Sequence, residues 1–77
     1  MNSEMAFGDA LQALKNGHAV SRTGWNGKGM WLKLQLPNGF NQMTMPYIYM
    51  RTAQGDFVPW LASQTDVLAS DWTIVLI

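Results

Sequence analysis

The chain has 77 residues, no cysteine and one histidine, His18, which excludes a disulfide framework, a zinc–thiolate centre and a His-rich metal site. Five basic and five acidic residues cancel, and charged residues are 13% of the chain against 48% hydrophobic. That balance gives no electrostatic reason to bind a phosphate backbone and favours association of copies.

The first predicted element is an amphipathic helix near residues 5–16. Phe7, Ala10, Leu11 and Leu14 fall at i, i+3, i+4 and i+7, one stripe of a 3.6-residue period. Ser3 or Asp9 serves its N-terminal end, Lys15 complements the dipole in the last turn, and Gly17 suits the position after the C-cap. A short strand, Ala19 to Arg22, follows. Next comes Thr23-Gly24-Trp25-Asn26-Gly27-Lys28-Gly29, a turn-rich loop with an exposed-looking Trp25-Asn26 pair.

The second strand, Met30 to Leu36, alternates: Met30, Leu32, Leu34 and Leu36 face one way, Trp31, Lys33 and Gln35 the other. Pro37-Asn38-Gly39 stops it, and residues 40–46 form a polar connection. A third strand, Tyr47 to Thr52, turns Ile48 and Met50 inward and Tyr47, Tyr49 and Arg51 outward. A hairpin turn at Ala53 to Asp56 leads into a strand over Phe57 to Trp60. Ser63 then opens a short helix to Ala69 as N-cap, with Asp66 at N3 in the capping-box arrangement. The last strand, Trp72 to Ile77, is apolar on both faces and is expected to be central or interfacial. The pattern predicts a single α+β domain, residues 1–77, with two helices packed on a small, mainly antiparallel sheet of about five strands.

Met1-Asn2-Ser3-Glu4 has no basic n-region, and no apolar run reaches the roughly 18 residues of a membrane span. A cytoplasmic protein is expected. Four Trp, two Tyr and three Phe exceed what one small core encloses. A chain this short buries only about 60% of the surface it exposes when unfolded, so homo-oligomerisation is the expected support.

Catalysis is poorly provided for. His18 follows a helix C-terminus, where a surface or capping role is the ordinary one, and no nucleophile–base arrangement is visible. Asp66 and Asp71 do not suggest an acid/base pair, and no catalytic residue, metal site or cofactor is expected. Recognition is better represented. Trp25, Trp60 and Trp72 stand beside Asn26, Ser63/Gln64 and Asp71/Thr73, and rings flanked by amides and hydroxyls suit a flat polar ligand such as a base or a sugar. Burial in a core or interface is the competing role for each Trp, and the favoured one for Trp72. A second patch, Trp31, Lys33, Tyr47, Tyr49 and Arg51, lines one surface if the second and third strands pair. It suits either a nucleotide phosphate or, as the slightly favoured reading, a subunit interface.

Three segments together resemble a known family. They are Phe7-Gly8-Asp9-Ala10-Leu11-Gln12-Ala13-Leu14-Lys15-Asn16-Gly17, Gly24-Trp25-Asn26-Gly27-Lys28-Gly29-Met30, and Val58-Pro59-Trp60-Leu61-Ala62-Ser63-Gln64-Thr65-Asp66-Val67-Leu68-Ala69-Ser70-Asp71-Trp72. The chain is similar over nearly its whole length to the second type of Thoeris anti-defence proteins, small phage and prophage proteins. The resemblance implies a non-catalytic homotetramer, a dimer of dimers, that sequesters the immune signal glycocyclic ADP-ribose. Some relatives also capture cyclic oligonucleotides at separate pockets. Residues 37–46 depart from the family pattern, being short where relatives often carry a longer insertion. On this reading the main site combines Trp25, Asn26, Lys28 and Arg22 with Trp60, Ser63, Gln64 and Asp66, across two subunits. Trp25 stacks on a purine, Lys28 or Arg22 faces the diphosphate, and the others bond base edges or ribose hydroxyls. A small carbohydrate- or peptide-binding phage accessory module is the alternative, and a single-stranded nucleic-acid binder is disfavoured by zero net charge.

Overall fold

The computed structural model describes residues 4–25, 28–40 and 42–77. In chain order the elements are α1 (Phe7–Lys15), β1 (Ala19–Arg22), β2 (Trp31–Gln35), β3 (Tyr47–Arg51), β4 (Phe57–Pro59), α2 (Gln64–Val67) and β5 (Trp72–Val75). The α+β class holds, with each element at its expected place and most a residue or two shorter at the ends.

α1 starts without the expected cap. Its N-cap is Ala6, which offers no side-chain acceptor; Asp9 instead lies in the first turn, where its charge complements the helix dipole, and Ser3 lies outside the described residues. The C-terminal end follows expectation. Gly17 has φ +90°, Gly17 N–H donates to Leu14 O and His18 N–H to Ala13 O. This is the Schellman pairing that satisfies the last helical carbonyls.

The strands form one antiparallel sheet in the order β4-β3-β2-β1-β5. β5 is therefore an edge strand, which corrects the central half of the expectation that it is central or interfacial. Its apolar residues reflect what packs on it: Trp72 lies under α1, and Met5 exchanges backbone hydrogen bonds with Trp72 along its outer side (2.8 and 3.1 Å).

Pairing fixes the two faces of the sheet, because side chains alternate along each strand. On one face Val20, Leu32 and Trp72, all fully buried, meet Ala10, Ala13 and Leu14 of α1, with Leu34, Ile48, Met50 and Ile74 packed around them. On the other face Trp31 stands opposite Arg51 and Lys33 opposite Tyr49, while Tyr49 faces Pro59 and Arg51 faces Phe57 on the next strand. No described helix covers that face, because α1 packs on β1, β2 and β5 and lies on the core side. The β3–β4 turn forms as expected, with Thr52 N–H donating to Asp56 O and Gly55 N–H to Thr52 O.

Candidate functional site around Trp25 and Asp66

The Gly-rich loop and the α2 segment, distant in sequence, meet at the N-terminal end of α1. Trp72 is the hub. Phe7, Trp25 and Trp60 surround it with ring centroids at 5.3, 5.4 and 6.1 Å, and Phe7 also meets Trp60 at 5.8 Å. Trp25 and Trp60 approach Trp72 edge-on, the preferred arrangement of aromatic quadrupoles. The indole N–H of Trp72 is the one polar group of that fully buried side chain, and it donates to Asp66 O (2.9 Å).

Asp66 connects this aromatic cluster to a charged one. Ser63 caps α2 as expected, its Oγ accepting from Asp66 N–H (3.1 Å). The reciprocal half of the capping box is absent, because the Asp66 carboxylate turns toward β1. Its Oδ1 accepts from Arg22 Nη1 (2.8 Å) and from the Trp25 indole N–H (3.1 Å). Arg22 also donates through Nε to Asp71 Oδ1 (2.7 Å). Asp71 Oδ2 in turn accepts from Gly24 N–H (2.9 Å) and from the Thr23 hydroxyl (3.3 Å), which also donates to Glu4 (2.7 Å).

The electrostatics follow from this geometry. Burial pushes the Asp66 carboxyl up, but the donors Arg22 and Trp25 outweigh it and hold the group below the ordinary carboxylate range. Hydrogen bonding from Arg22 likewise lowers Asp71, and the two carboxylates, Asp71 foremost, raise Arg22. Both acids are anionic at neutral pH and shared by one guanidinium, so neither is suited to proton transfer.

Two expectations are corrected here. Trp25 is half-buried rather than exposed, being wedged between Trp72 and Asp66. Arg22 is engaged by two carboxylates, so it cannot face a diphosphate without breaking that pairing, whereas Lys28 is exposed in the loop. Trp60 joins the cluster through Phe7 and Trp72, and Ser63 and Gln64 are exposed at the start of α2. Asn26 lies outside the described residues. Asp71, expected only as a neighbour of Trp72, and Phe7, expected only on the helix stripe, belong to the same constellation, since nothing local to either reveals a contact with Arg22 or Trp60.

The second patch is one surface, as strand pairing predicts. Trp31, Tyr49 and Phe57 form a ring triangle with centroids 5.5–6.0 Å apart. Beside it a cavity of about 360 Å³ is lined by Gln35, Met43, Tyr47, Tyr49, Phe57, Val58 and Pro59. Tyr47 and Tyr49 belong to the expected patch and Gln35 lies on the outward face of β2, whereas Phe57, Val58 and Pro59 come from β4 and Met43 from the 36–46 connection, whose position the sequence pattern does not give. The lining carries no charged side chain. Arg51 is not a free cation, because its Nη1 donates to Gly29 O (2.9 Å). The cavity opens away from the Trp25–Asp66 cluster, which occupies the α1 side of the sheet.

Residues 5–75 match the family model described as the Tad2-like, Thoeris anti-defense 2-like domain. The chain is also 42% identical over 88 aligned positions to Thoeris anti-defense 2 of Bacillus phage SP01, covering 97% of this chain and 99% of that protein. The alignment is longer than this chain, so the phage protein carries residues that have no counterpart here.

Proposed function

The chain belongs to the Thoeris anti-defense 2-like family, and we propose that it is a phage-encoded sponge that binds glycocyclic ADP-ribose and withholds it from the host's defence without cleaving it. The observation that carries the reading is the near full-length similarity to a protein named for countering Thoeris. The geometry supports it chemically. Trp25 is held at a fixed angle by Trp72 and Asp66, so little side-chain entropy is lost when a purine stacks on it. The Asp66 carboxylate is engaged by Arg22 and Trp25 through Oδ1, which leaves Oδ2 to accept from a ribose hydroxyl or an exocyclic amine. Ser63 and Gln64 offer a hydroxyl and an amide beside it, Asn26 a further amide, and Lys28 a cation for the diphosphate.

The non-catalytic part of the proposal rests on chemistry. The only imidazole, His18, follows the C-terminal end of α1 and is exposed, whereas Phe7 at the opposite end is what touches the cluster. Among the described residues no group of His, Asp and Glu is arranged to hold a metal.

Assembly is part of the same reading. Among the described residues seven apolar side chains form the core, whereas eleven large apolar ones are exposed, including Leu61, Leu68 and Phe57. That excess is what a protomer presents before association. A dimer of dimers would bury it and place a second chain against the exposed side of Trp25. Capture is stoichiometric, so a signal active below micromolar concentration requires a nanomolar dissociation constant, about −12 kcal/mol, and a pocket closed by two chains is a route to it.

The test is recovery. Purified protein is incubated with glycocyclic ADP-ribose, loss of free signal is measured, and the heat-denatured supernatant is read by mass spectrometry. Intact signal supports the sponge, while a hydrolysed product or undepleted signal overturns it. Trp25→Ala should weaken binding about ten- to hundredfold, as expected for one stacked base.

A further inference from the structure

On the reading that Trp25 and Lys28 contact the ligand, we infer that Arg51 is a positioning residue: it latches the Gly29 end of the ligand loop to the β3–β4 hairpin. The near end of the loop is anchored by Asp71, through Gly24 N–H and the Thr23 hydroxyl. The far end is held by Arg51. This residue stands on β3 between its cross-strand partners Trp31 and Phe57, yet its guanidinium serves backbone: Nη1 donates to Gly29 O at 2.9 Å and to Thr52 O at 3.4 Å.

The guanidinium can lie this close to the loop because Gly29 lacks a side chain, while Gly55 borders it at ordinary contact distance. A Cβ at Gly29 would stand 2.7 Å from Arg51 Nη1, and one at Gly55 would stand 3.4 Å from Nη2. Gly29 has φ +78° and Gly55 φ +93°, so one left-handed glycine from each loop flanks the guanidinium. Both carbonyls are reached from the one nitrogen Nη1, at the end of a stem whose length and planar head a lysine reproduces only in part. Between the segments held by Asp71 and Arg51 lie Trp25 and Lys28, two of the residues assigned to the ligand. The reach of Lys28 toward a diphosphate is thereby set from the hairpin. Because the stem of Arg51 lies beside Trp31 and Phe57, any displacement of the hairpin by a partner on the open face is passed to Gly29, and the coupling is reciprocal.

The test has two arms. In the free protein, hydrogen exchange is compared for wild type, Arg51→Met, Arg51→Lys, Gly29→Ala and the Gly29→Ala/Arg51→Met double variant. Arg51→Met should speed exchange of amides from Lys28 to Met30 about tenfold, the scale of one lost hydrogen bond, with Arg51→Lys intermediate and α1 unchanged. Gly29→Ala should cost less stability in the Arg51→Met background, where its Cβ no longer meets the guanidinium. Unchanged exchange at Lys28–Met30, exchange that rises equally in α1, or strictly additive stabilities would overturn the latch. In the second arm, titration with glycocyclic ADP-ribose should give about a tenfold higher Kd for Arg51→Met and partial rescue by Arg51→Lys. A wild-type protein that fails to bind the signal sinks the ligand reading but leaves the exchange arm to decide the latch. A Kd unmoved by Arg51→Met, beside the expected exchange result, sinks the positioning role alone.

Discussion

The two faces of the sheet hold similar numbers of aromatic rings and treat them differently. Under α1, Phe7, Trp25 and Trp60 gather on Trp72, which is fully buried and has its indole N–H paired with a backbone carbonyl. On the opposite face Trp31, Tyr49 and Phe57 also touch one another, but Phe57 remains 65% exposed. Ring contact within a face therefore does not amount to burial. Only a second layer removes such surface from water, and α1 supplies that layer on one face alone.

The largest effect is expected at the closed face. Trp72→Ala removes the hub of the core and should cost about 3–5 kcal/mol, a large share of the stability of so small a domain. Thermal melts should show loss of the cooperative transition; a melt near that of wild type would mean that the closed face is not where the stability lies. Phe57→Ala tests the open face. It should leave the protomer folded but weaken association by about 2 kcal/mol, the scale of an interface hot spot. Light scattering at micromolar concentration would then report smaller species than for wild type. If the mass is unchanged and the melt collapses instead, the two faces are not distinct in the way proposed.

Smaller effects sharpen the comparison on the closed side. Asp66→Asn removes the charge shared by Arg22 and Trp25 and should cost about 1–2 kcal/mol while loosening the Trp25 indole, which is visible as a shift in tryptophan fluorescence. The same pairing predicts a pH dependence. Asp66 and Asp71 have folded-state values below the ordinary one. Their contribution is therefore fully present above the unfolded value of about 4 and is lost as pH falls through the lower folded values. Melting temperatures of wild type should drop from about pH 5 downward more steeply than those of Asp66→Asn; parallel curves would remove Asp66 from the acid response. The smallest effect is Ser63→Ala, about 1 kcal/mol for a lost N-cap, read by chemical denaturation.

Much of the fold was legible because it is written in short periods. The i, i+3, i+4, i+7 stripe from Phe7 to Leu14, the alternation of Trp31 to Gln35, and the Ser63–Asp66 cap depend on neighbours within a turn or two. Gly17 and Gly55, too, announce turns by needing positive φ. At the candidate site, the sequence offers residue types and the structure supplies the wiring between them. Trp25, Arg22, Trp60, Ser63 and Asp66 do converge. Yet the half-burial of Trp25 and the pairing of Arg22 were not legible, because their partners lie 41 to 49 residues along the chain.

The sequence by itself determined the element order, the inward and outward faces of β2 and β3, the cap of α2 and the family, since each rests on residue types at close spacing or on whole-chain similarity. Only the tertiary structure decided that β5 is an edge strand, that Arg22 is shared by Asp66 and Asp71, that Trp72 is the hub of the aromatic cluster, and that Arg51 reaches across to Gly29. Apart from the ring contact of Trp60 with Trp72, these rest on contacts between segments 22 or more residues apart. Such contacts are chosen by which surfaces pack without voids or unpaired polar groups, a condition on the whole chain that no local spacing expresses.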